Sequence, residues 1–285
     1  MRTRLSELNV TETPTAEDFS FSAFSNLPFY RQINARLLDL AEIGSHRRIV
    51  DLGCGTGGVT KLILERLQSA RDTVIYAVDH SASALKDAVA ELGGRKDAVI
   101  RFIQSPVQNL MNAVTDDVDA VVYCNSIHYV PDKRTLLAQI RERLMPNGLL
   151  AINTSFYDGS HPPESEDFYR RWLMRSLRIL KREHGLKPDS AMKVESRQHL
   201  TKEEYEELLV SSGFTIVKSE VSDIDVPESG WFHISGFRDW IEGVMPGVPL
   251  EAGKDALQKG LRQVFEERGL VTVPRRWLSI SAARA

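Results

Sequence analysis

Ile49-Val50-Asp51-Leu52-Gly53-Cys54-Gly55-Thr56-Gly57-Gly58 is the stretch on which the reading of the chain turns. Two β-branched residues run into an aspartate, then into alternating glycines, then into Val59-Thr60-Lys61-Leu62-Ile63-Leu64. The pattern predicts a buried strand, a tight glycine turn and a helix running to about Gln68. Glycine serves where backbone takes a positive φ or approaches a ligand with no Cβ between them. A helix start adds free N–H groups and the positive end of a dipole. The stretch is therefore a nucleotide cradle. Its Gly53-x-Gly55-x-x-Gly58 spacing also satisfies the dinucleotide pattern, so NAD is one candidate occupant.

Working outward, further strands are predicted at Thr73–Val78, Ala98–Ile103, Asp119–Cys124 and Leu149–Thr154. Helices are predicted at Ser81–Leu92 and Lys133–Leu144, and Pro146-Asn147-Gly148 is read as a turn. Strands and helices that alternate in this way imply a parallel, doubly wound α/β sheet. Ligands of such sheets lie beyond the carboxyl ends of the strands, at the switch point. Asp51, Asp79 and Asn125 each close or follow a strand at that end, so they are expected in one crevice. The charge of Asp51 bears on the occupant. A carboxylate there would face the pyrophosphate of a dinucleotide, whereas a ligand carrying an ammonium and a sulfonium would be attracted by it.

The 285 residues suffice for one large α/β domain with a cap, and 42% of them are apolar. Lys and Arg number 36 against 39 Asp and Glu, which argues against general nucleic-acid binding. The first residues, Met1 to Glu7, contain no apolar core of a signal peptide, and no apolar run is long enough to span a bilayer. Two cysteines, Cys54 and Cys124, and seven histidines show no metal-ligand spacing, so reduced thiols, a cytoplasmic location and no metal are expected. Oligomeric state has no signature in the sequence.

Asp51-Leu52-Gly53-Cys54-Gly55-Thr56-Gly57 resembles the glycine motif of class I S-adenosylmethionine-dependent methyltransferases. The likeness continues through Asp79 after the second strand, Cys124-Asn125-Ser126-Ile127-His128-Tyr129-Val130 after the fourth and Leu144-Met145-Pro146-Asn147-Gly148 before the fifth, covering roughly residues 30–156. The resemblance implies a doubly wound seven-stranded Rossmann-like sheet whose last strand is antiparallel, with strands near 215–220 and 277–281 as the final pair. It implies that Gly53, Gly55 and Gly57 pass the amino-acid end of S-adenosylmethionine and that Asp79 accepts both ribose hydroxyls. His80 would lie beside Asp79, the backbone near Val107 would meet the adenine edge, and the Asn125 carbonyl would take the ammonium. The family often carries an acid near Pro106; here Gln104-Ser105-Pro106-Val107-Gln108-Asn109 has none, leaving Gln108 or Ser105 as substitutes.

The division implied is a lead-in segment 1–29 and a methyltransferase domain 30–285, with a cofactor core 30–156 and helical cap insertions at about 157–200 and 223–274. The aromatic lead-in offers Tyr30 as a flap over the cofactor or as packing against the sheet. Methyl transfer from a sulfonium is an in-line displacement, so the protein chiefly positions the acceptor, and a base serves only a protonated acceptor. His128 is the candidate base or orienting group, with Tyr129 beside it. The caps concentrate aromatic residues, and Tyr157, Tyr169, Trp172, Trp231 and His233 are the candidate substrate contacts. A small, partly apolar metabolite methylated at oxygen is the leading reading. Helix 168–183 carries Arg171, Arg175, Arg178 and Arg182 on one stripe, which keeps an RNA or protein acceptor open, and a NAD-binding protein is the third reading.

Overall fold

Ile49 points to one face of a strand and Val50 and Leu52 to the other, and all three are buried. This double burial sets β1 (Arg48–Leu52) in the middle of a sheet. The computed structural model describes residues 22–95, 98–192 and 199–285, so the expectations for residues 1–21 lie outside the described residues. β2 (Val74–Asp79), β3 (Val99–Gln104), β4 (Val118–Cys124), β5 (Leu144–Thr154), β6 (Phe214–Pro227) and β7 (Thr272–Arg284) complete a seven-stranded sheet in the order β3-β2-β1-β4-β5-β7-β6. β1 to β5 pair in parallel, and β7 inserts antiparallel between β5 and β6. The strand order reverses between β1 and β4, which creates the crevice the sequence predicted.

The helices are α1 (Ser22–Ser25), α2 (Pro28–Leu40), α3 (Gly58–Leu64), α4 (Ala82–Leu92), α5 (Leu110–Ala113), α6 (Lys133–Arg143), α7 (Glu166–His184), α8 (Lys202–Ser211), α9 (Glu228–Ile234), α10 (Arg238–Val244) and α11 (Leu250–Arg268). Several begin as their sequences dictate. Ser81 accepts from the Ala84 N–H at the start of α4, and Asp132 accepts from the Thr135 N–H at the start of α6. Thr201 and Glu204 form both halves of a capping box on α8, a feature worth about 1 kcal/mol. Leu37 and Leu38 of α2 pack with Ile49, Ile75 and Val122 on one face of the sheet. Leu136, Leu137 and Ile140 of α6 and Tyr205 and Leu209 of α8 cover the other, with Val50, Leu52 and Val121.

A second core lies over the carboxyl ends of the strands. Phe168, Trp172 and Leu180 of α7 meet Trp231 and Ile234 of α9, Ile241 of α10 and Leu257, Leu261 and Phe265 of α11, and Phe24, Tyr30 and Ile33 of the lead-in join them. The cap is thus a packed helical layer with its own apolar core.

Three expectations change. α3 stops at Leu64 rather than Gln68. Pro146-Asn147-Gly148 is absorbed into β5, with Asn147 in the left-handed region at φ 62° and a register shift opposite Val118/Ala120. The last two strands are far longer than 215–220 and 277–281: they run over Phe214–Pro227 and Thr272–Arg284. Charge and proline disguised them. β7 pairs with β5 only from Leu278 to Ala283, while its Thr272–Trp277 portion pairs with β6 alone. That overhang has a free edge, where Pro274 lacks no necessary donor. A two-stranded arm therefore projects past the end of β5 into the cap.

Candidate active site

The glycine turn is fastened on every side. Gly53 N–H and Cys54 N–H both donate to the Val78 carbonyl, at 2.7 and 3.0 Å, which ties the turn to β2. Gly53, Gly55 and Gly57 all take positive φ, at 72°, 54° and 87°. At Gly57 a Cβ would lie 2.9 Å from Leu92 Cδ1, so packing against α4 also requires glycine. At Gly55 a Cβ would meet nothing within 4 Å, because the turn faces open space there.

Two carboxylates bracket this space. Asp51 is 1% exposed and accepts from Thr60 Oγ1 at 2.5 Å, which pins the first turn of α3 to the end of β1. Burial raises its pKa to about 7, the Thr60 hydrogen bond opposes that, and the neighbouring Asp79 adds to it. Asp79 Oδ2 accepts from the Gly55 N–H and Oδ1 from the Ser81 N–H, both at 2.8 Å. A carboxylate has about four lone-pair sites, so both oxygens retain capacity for ligand hydroxyls. His80 stands mostly exposed at the rim, with Nδ1 3.5 Å from Asp79 Oδ1. Val107 opens a 3₁₀ turn at 107–109 and is half-buried. Ser105 is buried with its N–H on the Asp79 carbonyl, whereas Gln108 is exposed.

Asn125 follows β4 with φ 47°, a strained value that asparagine tolerates. Its N–H lies 2.9 Å from both the carbonyl oxygen and the side-chain Oδ1 of Asn153, and its own Oδ1 accepts from the Ser155 N–H at 3.0 Å. Asn153 Nδ2 in turn donates to Asn34 Oδ1 at 2.9 Å. Tyr30 hydrogen-bonds with Asn34 and Asn125, and burial pushes its phenol far above the ordinary value. Tyr30 is therefore a buried member of α2 at the crevice rather than the tip of a flap. Asn34 and Asn153 are partners that the sequence reading missed; a buried-face asparagine in each amphipathic element was the available signal.

Beside Asn125 lies a cavity of about 20 Å³, which has room for about one water molecule. As it stands it is a slot with aromatic walls. Asn125 and Ser155 line the cofactor side, and Phe156, Trp231, Trp240 and Arg275 line the cap side. His128 is 1% exposed and stacks on Phe156 with centroids 4.0 Å apart. Its Nδ1 is 3.3 Å from Thr154 Oγ1, and Nε2 has no partner among the described residues. Burial, then the nearby His199, Lys133 and Arg275, hold this imidazole well below its ordinary value, so it is neutral and a weaker base than free imidazole. Tyr129 meets the same imidazole in a tilted contact, with centroids 4.0 Å apart.

The candidate substrate contacts divide. Trp231 lines the pocket, and Tyr169 stands next to it in edge-to-face contact at 5.4 Å. Tyr157 instead belongs to the sheet core with Tyr205 and Leu208. Trp172 is cap core, its Nε1 donating to the Leu257 carbonyl at 2.8 Å. His233 sits on α9 outside the pocket lining. These three are corrections: aromatic and histidine content marks the cap, but helical phase decides which side chains face its cavity. On α7, Arg171 pairs with Asp167 at 2.6 Å and Arg175 with Glu267 at 2.9 Å, which neutralises part of the basic stripe.

Arg275 is the functional candidate the sequence reading did not identify. In β7 the residues Val273, Arg275 and Trp277 are buried and Thr272, Pro274 and Arg276 less so, a period of two that puts an arginine in an apolar register. Reading the strand from 272 instead of 277 would have exposed the anomaly.

The methyltransferase-domain family matches residues 50–150 of the chain. Trans-aconitate 2-methyltransferase of Delftia acidovorans is 24% identical over 245 residues, 82% of either chain. The namesake enzyme of Deinococcus radiodurans is 32% identical over 108 residues, 38% of this chain and 37% of that one. Malonyl-[acyl-carrier protein] O-methyltransferase of Halalkalibacterium halodurans is 36% identical over 121 residues, 39% of this chain and 42% of that one. The chain thus spans well under half the length of these last two relatives. Among solved structures, a Haemonchus contortus N-methyltransferase in complex with phosphomonomethylethanolamine and S-adenosylhomocysteine superposes with a TM-score of 0.54 at 17% identity, covering 94% of this chain and 56% of that one. A cyclopropane synthase of Mycobacterium tuberculosis does so at 0.53 and 13% identity, covering 96% and 99%. At such identities the likeness is one of fold. Among the described residues no helix is long and apolar enough to cross a membrane.

Proposed function

We propose that this chain, a member of the class I S-adenosylmethionine-dependent methyltransferases, methylates a small, partly apolar metabolite at oxygen. The observation that carries the reading is that Asn125, which follows β4 at the crevice end of the sheet, also lines an aromatic slot. The crevice is built from the glycine turn, Asp51 and Asp79, and the slot has its aromatic walls under a helical cap. The cofactor fits the crevice. Gly55 leaves open space beside the turn, Asp79 keeps lone pairs for the ribose, and Asp51 supplies a negative charge near a ligand that carries cations.

When bound, S-adenosylmethionine supplies an electrophilic methyl group on a sulfonium. The rest is positioning by the protein. Asn125, fixed by Asn153 and Ser155, presents its backbone carbonyl to the ammonium. Phe156, Trp231 and Trp240 exclude water from the acceptor, which favours attack by the acceptor over hydrolysis. His128 orients the acceptor through its unpartnered Nε2; its depressed basicity suits an acceptor that needs little deprotonation.

The relatives' names support a small acid-derived acceptor, and one of them names oxygen as the atom methylated. An RNA or protein acceptor is disfavoured, because the basic stripe is partly neutralised and the slot is narrow. The test is differential stabilisation. S-adenosylmethionine and S-adenosylhomocysteine are expected to raise the melting temperature and NAD is not; a shift with NAD alone would end this reading. Incubation of labelled cofactor with fractionated metabolite extract then identifies the acceptor, and a label recovered only in macromolecules would reject the small-molecule assignment.

A further inference from the structure

Arg275 is 4% exposed, yet no carboxylate lies within ion-pairing distance of it among the described residues. Its three hydrogen bonds all go to neutral acceptors. Nη1 donates to His161 Nε2 and to the Tyr169 hydroxyl, both at 3.0 Å, and Nη2 donates to the Ser155 carbonyl at 2.6 Å. Arginine can only donate, so His161 must accept and is neutral, as its enclosure and the adjacent guanidinium also favour. Among the described residues these bonds occupy three of the five N–H groups, and a ligand would take the others. Rings of Phe156, Trp240 and Trp231 surround the guanidinium at 5.3, 5.6 and 5.8 Å. They soften its charge without cancelling it, since cation–π attraction is weaker than the desolvation cost of a buried charge.

The guanidinium also lies in the right place. It lines the aromatic slot, it is bonded to Ser155 beside Asn125, and its ring partner Phe156 stacks on His128. The overhanging arm of β7 carries it there, with Arg276 N–H anchored on the Ser160 carbonyl at 2.9 Å. We propose that Arg275 is the acceptor-binding residue of the slot and that the acceptor is a carboxylic acid with an apolar body. This rests on the methyltransferase reading above. The other N–H groups of Arg275 hold one end of the carboxylate, the aromatic walls take the body, and the remaining oxygen is methylated. An oxygen lone pair forms the new O–C bond as the C–S bond breaks and its electrons go to sulfur. The product is a methyl ester, and no proton is released, so no base is required. A neutral His128 then backs Phe156, the slot wall on which it stacks.

The experiment uses the intact chain saturated with S-adenosylhomocysteine. Hexanoate, 3-phenylpropanoate and indole-3-acetate are titrated calorimetrically against their uncharged amides, with wild type, Arg275→Lys and Arg275→Met. At least one carboxylate is expected to bind about tenfold or more tightly than its amide to wild type. The preference is expected to vanish in Arg275→Met and to persist in part in Arg275→Lys, with S-adenosylhomocysteine affinity within about twofold throughout. Equal binding of acid and amide, no binding of any acid, or a preference that survives Arg275→Met would each overturn the proposal. If Arg275→Met does not fold, the acid–amide comparison on wild type and Arg275→Lys decides. Failure of S-adenosylhomocysteine itself to bind would instead sink the methyltransferase reading.

Discussion

Cofactor affinity should rise with pH between about pH 5.5 and about pH 7, because Asp51 must ionise to attract a cationic ligand. Burial holds its carboxyl at about 7, so about 3% is ionised at the lower pH and about half at the upper. If the carboxylate form alone binds, apparent affinity scales with that fraction and rises about fifteenfold, or about 1.6 kcal/mol. The sign follows from linkage: a cation beside the site lowers the carboxyl's pKa, so binding expels a proton and is favoured as protons become scarce. Among the other groups near Asp51, the two buried thiols and one buried phenol are displaced out of this window. Burial drives the Cys54 and Cys124 thiols and the Tyr30 phenol upward. The cofactor's own ammonium, with an ordinary value near about 8, stays charged. The assay is isothermal calorimetry with S-adenosylmethionine in buffers of different ionisation enthalpy, which also counts the released proton. Asp51→Asn should be flat over the same range, and His80→Asn should retain the slope and so separate out the rim histidine. An affinity that does not change with pH in wild type, or an identical slope in Asp51→Asn, would refute the assignment of Asp51 to the cationic end.

Other variants test the rest of the site. Asp79→Ala should lower cofactor affinity but also stability by about 2 kcal/mol, since it removes the acceptor of both the Gly55 and the Ser81 N–H. Sequence reasoning implies little loss of fold for this strand-end acid; urea melts of the variant decide between the two. Gly55→Ala should cost about 1–2 kcal/mol of stability from its positive φ but at least about tenfold in cofactor affinity, since the methyl group enters the open space beside the turn. Gly57→Ala should behave inversely, losing about 2–4 kcal/mol through strain and the Leu92 clash. Equal affinity losses in the two would show that the cofactor does not pass Gly55. His128→Ala should lower turnover about tenfold or more with cofactor affinity nearly unchanged. With cofactor saturating at every pH, the wild-type rate should show no limb near pH 6.5, because burial keeps that imidazole neutral; a limb there that disappears in the variant would restore a base role.

The cofactor half was legible from residue order because its determinants are local. β1, β2 and β4 are short apolar runs buried on both faces, each with a marked residue at or just beyond its end, and the glycines hold conformations that few other residues accept. Asp51, Asp79 and Asn125 therefore meet wherever the strands align, and the stretch 49–58 fixes that meeting point. The acceptor half was not legible, because its determinants are phases and overhangs. Tyr157, Trp172 and Trp231 look alike in sequence, and only the direction of each side chain sends the first to the sheet core, the second to the cap core and the third to the slot. Arg275 follows a proline and precedes a second arginine, which reads as a loop. It becomes a buried cation only because β7 extends past β5 along β6 and its alternation turns that position inward. Sequence alone determined the sheet, the cradle and the cofactor; tertiary packing decided which side chains face the acceptor, since that depends on contacts between segments more than a hundred residues apart.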